Sequence, residues 1–311
     1  MKPAHLNSGQ VFEYARPRGQ LKPARLVLDL LHSHRRRGSS VGHLMEAGKL
    51  FGFTDNTLRV TLSRLVSRGL LVSPRRGYYQ LSEATHTINR FVDDWRLGEE
   101  RVKPWTPGQW LVCHWSKTES RDQAGGSVSQ LRHTRVREKG RWALESLGWR
   151  EVRTGLWARP DNLALEFEEL ERRLRGLGLP DEALLMGPCH ITSQADWQAD
   201  WRADSQTDPE TGAGWRDHFQ VTHLEQEYAR ALARLQHSAQ RLDRYPVEQA
   251  MVESFILGGD VINLLAKDPL LPQQWLKSHL RETLWQAMLK YDAQGKAIWA
   301  DAGGHADDES H

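Results

Sequence analysis

Between Ser39 and Leu81 two short helical stretches, each closed by a glycine, run straight into a hairpin tipped with arginines. That order leaves the segment few ways to fold. Ser40 has the side chain of an N-cap for a helix reaching about Leu50. Gly52 suits the position after it, because glycine enters the left-handed region without steric cost. Thr54 or Asp55 then caps a second helix. Its Leu58, Leu62, Leu65 and Val66 recur at i, i+4, i+7 and i+8, which predicts one buried face. The opposite face carries Asn56, Thr57, Arg59, Ser63, Arg64 and Ser67. Gly69 ends the helix. Leu70–Ser73 and Tyr78–Leu81 are predicted strands, joined by Pro74-Arg75-Arg76-Gly77. Helix, turn, helix and hairpin in this order predict a winged helix-turn-helix over residues 21–97. Leu26 and Leu30, with Val27 and Leu31, mark a supporting helix from Leu21 to His34.

Charge is distributed to match. Residues 1–90 hold fifteen Lys/Arg and five Asp/Glu, a net of +10, while the whole chain is only +2, so residues 91–311 sum to −8. Such polarity points to a polyanion-binding domain joined to an acidic body. Three cationic groups flank the helix pair: Arg35-Arg36-Arg37 before it, Arg59, Arg64 and Arg68 on its second helix, and Arg75-Arg76 on the hairpin. A small packing subdomain with a solvated basic face is the plainer alternative. It leaves that clustering unaccounted for.

A chain of 311 residues with 39% hydrophobic residues and a mean hydropathy of −0.63 suggests two or three globular domains. No apolar run approaches the roughly 18 residues needed to cross a bilayer. The first 20 residues lack a signal-peptide core and read as a flexible polar arm. Cys113 and Cys189 sit far apart in apolar runs, which fits reduced thiols and a cytoplasmic location. The thirteen tryptophans are read as packing residues.

Past a helix at Thr85–Arg96, the stretch 98–192 alternates in a defined order. Trp110–Trp115 is a predicted strand, Lys117–Gln130 a polar loop and Leu131–Leu147 a helix. Trp149–Arg153 and Leu156–Arg159 form a hairpin about Thr154-Gly155, with Leu163–Leu174 a helix and Glu182–Cys189 a strand. The order β-α-β-β-α-β is the ferredoxin-like plan, making the chain α+β. Residues 193–300 are predicted to be a helical domain. It opens on an irregular stretch to Trp215 that contains Asp196-Trp197 and Asp200-Trp201. A helix starting at Val247 is interrupted at Gly258-Gly259, and Trp275–Tyr291 closes the fold. Residues 301–311 are expected to be a disordered tail.

Leu58-Arg59-Val60-Thr61-Leu62-Ser63-Arg64-Leu65-Val66, followed by Arg68-Gly69, resembles the recognition helix of the PaaX-type repressors of phenylacetic acid catabolism. Gly77-Tyr78-Tyr79-Gln80-Leu81 is similar to the strand after their wing. Leu147-Gly148-Trp149 with Gly155-Leu156-Trp157-Ala158-Arg159-Pro160 resembles their Cas2-like middle domain, and Lys267-Asp268-Pro269-Leu270-Leu271-Pro272 their C-terminal region. The likeness runs from about Leu21 to Lys290. Lys117–Gln130 and Ser193–Trp215 depart from it. The resemblance implies a repressor relieved by an aryl-CoA thioester such as phenylacetyl-CoA, at a site no residue here identifies.

Catalytic alternatives find little support. A Cas2-type metal nuclease needs a carboxylate at the end of its first strand. Here that strand runs into Cys113-His114-Trp115-Ser116-Lys117. His32/His34, His218/His223 and Cys189-His190 lack metal-ligand spacing. There is no Gly-x-Ser-x-Gly and no Gly-rich phosphate loop, so no catalytic residue, metal or cofactor is assigned. The expectation is a homodimer on double-stranded DNA carrying an inverted repeat. Asn56 would read adenine and Arg59 or Arg64 guanine, Thr57 and Ser63 would touch base edges or phosphates, and Arg75 and Arg76 would hold the backbone. A metal-dependent nuclease and a protein-interaction module are the rival classes.

Overall fold

Local capping decides the N-terminal elements of the chain, whose computed structural model describes residues 21–33, 38–83, 85, 92–115, 127–190, 217–277 and 279–303, with backbone alone at 127–135, 190, 217 and 303. The three-arginine run, the N-terminal arm, most of Thr85–Phe91, the polar loop up to Gly126, the irregular stretch with Trp197 and Trp201 and the tail from residue 304 lie outside them. Helix α1 (Pro23–Ser33) is followed by the two-residue strand β1 (Ser39–Ser40). The Ser40 hydroxyl accepts from His43 N at 3.2 Å and starts α2 (Val41–Leu50). The helix ends when Phe53 N donates to Gly48 O at 3.0 Å and Gly52 N to Lys49 O at 2.9 Å, with Gly52 at φ +76°. This is the paired closure that left-handed glycine permits. Thr54, one of the two expected residues, caps α3 (Asp55–Ser67) by accepting from Thr57 N at 3.2 Å. Leu70 N to Leu65 O and Gly69 N to Val66 O repeat the same closure.

The structure is mixed α and β, with two antiparallel sheets and many helices. In the first sheet β3 (Tyr78–Leu81) lies between β1 and β2 (Leu71–Arg75). Strand β2 runs two residues further than its pattern suggested, through Pro74. Proline is tolerated there because β2 is an edge strand and its register slips between Val72 and Arg75. Leu58, Leu62 and Leu65 are at most 1% exposed and join Leu26, Leu30, Leu44 and Leu81 in one core. Each such leucine contributes roughly 1.5–3 kcal/mol. Val66 does not share that face as its spacing suggested: it is 36% exposed. At i+8 from Leu58 the helix has turned it past the arc the core covers.

The second sheet arises from 109–190. Strand β4 (Gln109–His114) leads to α4 (Ser127–Ser146), β5 (Arg150–Arg153), β6 (Leu156–Pro160), α5 (Phe167–Leu177) and β7 (Leu184–His190). The sheet order is β5-β6-β4-β7, every pair antiparallel. Helix α5 begins four residues later than its periodicity suggested. Leu163 is instead buried and bridged to Val102. Trp110 and Val112 face a core with Trp105, Phe219 and Trp275. Trp105 packs edge-on against both Trp110 and Trp275. On α4, the Arg141 side chain is 63% exposed and paired with Glu145.

Three long helices follow: α6 (Val221–Ala239), α7 (Val247–Ala266) and α8 (Leu280–Gly303). Gly258-Gly259 does not interrupt α7. Gly258 is buried opposite Met288 and Tyr291, so close helix packing offsets its weak propensity. The chain forms two compact units, each discontinuous in sequence. The first draws on the described parts of Met1–Arg96, Arg230–Ala266 and Thr283–His311, the second on Leu97–Ala229 and Lys267–Glu282. No helix among the described residues is long and apolar enough to cross a membrane.

Candidate nucleic-acid interface

Burying the leucine stripe of α3 turns the rest of that helix outward. Asn56, Thr57, Arg59, Ser63 and Arg64 are all exposed, as are Arg75 and Arg76 on the hairpin. The fold thus brings all seven predicted residues to the surface of one unit. Their side chains differ in availability. The Thr57 hydroxyl is 2.9 Å from that of Thr54, so the cap already engages it. The Thr61 and Ser67 hydroxyls donate back to Thr57 O and Ser63 O. Among the described residues, Asn56, Arg59, Ser63, Arg64 and Arg76 make no side-chain hydrogen bond or ion pair. Guanidiniums without an internal carboxylate keep their donors for an external anion.

The hairpin is held in shape by short-range bonds. The Ser73 hydroxyl donates to Arg75 O and Tyr78 O, both at 3.0 Å. Val41 N donates to Gly77 O at 2.7 Å, tying the hairpin turn to the start of α2. The Arg75 guanidinium lies 4.6 Å from the centre of the Tyr78 ring, a cation–π contact that orients it. Strand patterning alone gives Tyr78 no such part, because the contact depends on where the hairpin places Arg75. Arg68, grouped with the helix arginines, is half-buried at the C-cap.

Elsewhere the structure offers less chemistry. Among the described residues no three His, Cys, Asp or Glu are placed to share a metal ion. A cleft of about 390 Å³ in the second unit is lined by Val102, Trp105, Leu271, Glu99, Lys103 and Arg281. Its charges are matched internally. Arg281 donates through Nε and a terminal nitrogen to the Glu99 carboxylate, both at 3.1 Å, and Lys103 lies 3.0 Å from Asp161.

Residues 24–85 match the family model described as PaaX-like protein. The resemblance read from the sequence is therefore met over the stretch containing α1, α2, α3 and the three-stranded sheet. The PaaX-like stretch includes all seven predicted contact residues. Among solved structures, the uncharacterized protein Rv0674 from Mycobacterium tuberculosis is similar at 21% identity and a TM-score of 0.46, covering 87% of this chain and 97% of that one. No curated protein matches the chain.

Proposed function

We propose that this chain is a sequence-specific DNA-binding regulator of transcription. The observation that carries the proposal is the outward face of α3, with Asn56, Arg59, Ser63 and Arg64 unengaged by any described residue beside an arginine-tipped hairpin, inside a PaaX-like segment. On this reading residues 21–97 are a winged helix. α3 enters the major groove, where Asn56 pairs with adenine and Arg59 or Arg64 with guanine. Arg75 and Arg76 grip phosphates from the wing. Residues 98–192 are read as a ferredoxin-like domain, supported by their element order and by the sheet order β5-β6-β4-β7. Residues 193–300 are read as the helical domain.

A single α3 spans too few bases to mark one genomic site, so a two-fold homodimer on an inverted repeat is the matching assembly. The family resemblance supports repression, with release by an aryl-CoA thioester such as phenylacetyl-CoA. Such an effector acts only by binding one dimer geometry better than another.

The test is selection of genomic fragments by the purified full-length chain, repeated with aryl-CoA thioesters present. Enrichment of an inverted repeat, lost on adding the thioester, is expected. Arg59→Ala should cost about 1–3 kcal/mol at that site and relax preference at one position per half-site. Undiminished preference would displace α3 from the groove. Failure to retard any duplex at low salt would remove DNA binding altogether.

A further inference from the structure

Val60 interrupts the polar face of α3. It follows Asn56 by four residues and precedes Ser63 and Arg64 by three and four. In a helix of 3.6 residues per turn, those intervals set it at the middle of the outward face, opposite Leu58, Leu62 and Leu65. It is 42% exposed, whereas those leucines are at most 1% exposed. Among the described residues no core cluster explains a valine at this point. Its exposure leaves it outside the core cluster of its unit. Its β-branch lowers helix propensity relative to alanine, so it does not serve the helix either. The same branch restricts χ1 and holds two methyl groups in a fixed position.

We infer that Val60 is a specificity-determining residue that reads the 5-methyl group of a thymine. The inference rests on the DNA-binding reading above and adds to it the base class that the centre of α3 recognises. Asn56, Arg59 and Arg64 offer donors and acceptors, which suit adenine and guanine edges. Of the four bases, thymine alone presents an apolar group in the major groove, and a valine side chain is what matches it there. Val66, also exposed, lies off that centre, beside the edge of the buried stripe.

A double-substitution cycle on the selected duplex tests this. Replacing one thymine at a time by deoxyuridine removes only the methyl group. Val60→Ala removes the proposed partner at an exposed position where alanine favours the helix. At one thymine per half-site each change alone should weaken binding roughly three- to fivefold, the worth of burying one methyl. Both together should weaken it no further than either one. Val60→Thr, which keeps the branch and one methyl, should retain part of the sensitivity. If the two losses multiply at every thymine while the wild-type chain still selects its site, the methyl contact is overturned and DNA binding stands. If the wild-type chain retards no duplex, both readings fall.

Discussion

Arg159 is 1% exposed, and its guanidinium donates to the main-chain carbonyls of Leu147 and Pro160 and to the side-chain oxygen of Asn162 rather than to a carboxylate. Burial lowers its pKa from the usual arginine value, while the Asp161 charge works the other way. The side chain thereby satisfies a carbonyl at the end of α4. The next residue, Gly148, is at φ +78°, and an added Cβ would meet Pro269 O at 2.5 Å. Gly148→Ala should therefore destabilise the chain by roughly 1–2 kcal/mol from left-handed strain and by about 1–3 kcal/mol more from overpacking against backbone. Urea unfolding checks it; a midpoint equal to wild type would remove the close approach. Leu147-Gly148-Trp149 is visible as a string in the sequence. The reason for its glycine is not, because Pro269 lies 121 residues away.

At the scale of elements, α2, α3 and the hairpin were legible because their signals are local. Ser40, Thr54, Gly52 and Gly69 act on backbone groups within five residues of themselves. The departures from local pattern depend on neighbours. Val66 has leucine-like spacing but no core to cover it. Pro74 has the chemistry of a turn residue, yet the edge position of β2 makes room for it in the strand. On the proposed DNA-binding reading, the arginine-tipped hairpin has a test of its own. Arg75→Ala with Arg76→Ala should weaken binding to all sequences alike and reduce the slope of log affinity against log salt by about one per lost phosphate contact. An unaltered slope would take the wing off the backbone.

At the scale of the molecule, the N-terminal core recruits distant chain. Phe255 of α7 and Trp299 of α8 pack against it, and the Phe51 and Phe255 rings meet at 5.1 Å. Arg25 lies 3.5 Å from Asp260, and Arg96 donates to Asp292 at 2.8 Å. In the second unit, burial pushes the Cys113 thiol up to about 12. Burial, then the Asp268 carboxylate that accepts its hydroxyl at 2.8 Å, raises Tyr228 well above the ordinary phenol value. Both folded-state values exceed the unfolded ones. Their contribution is thus complete at neutral pH and is lost as pH climbs from about 9 towards 12. Urea-measured stability should fall across that window, with a shallower fall in Cys113→Ala. An identical slope in that variant would clear the thiol.

The order of elements, the caps, the cationic segment and the exposed face of α3 follow from the amino-acid sequence by itself, since each rests on charges, periodicity or bonds between near neighbours. Which of those side chains stay unengaged, which valine faces outward, and which C-terminal aromatics complete the first core were settled by tertiary structure. Those outcomes depend on what distant chain covers, and burial by a remote partner leaves no periodic mark on the residues it buries.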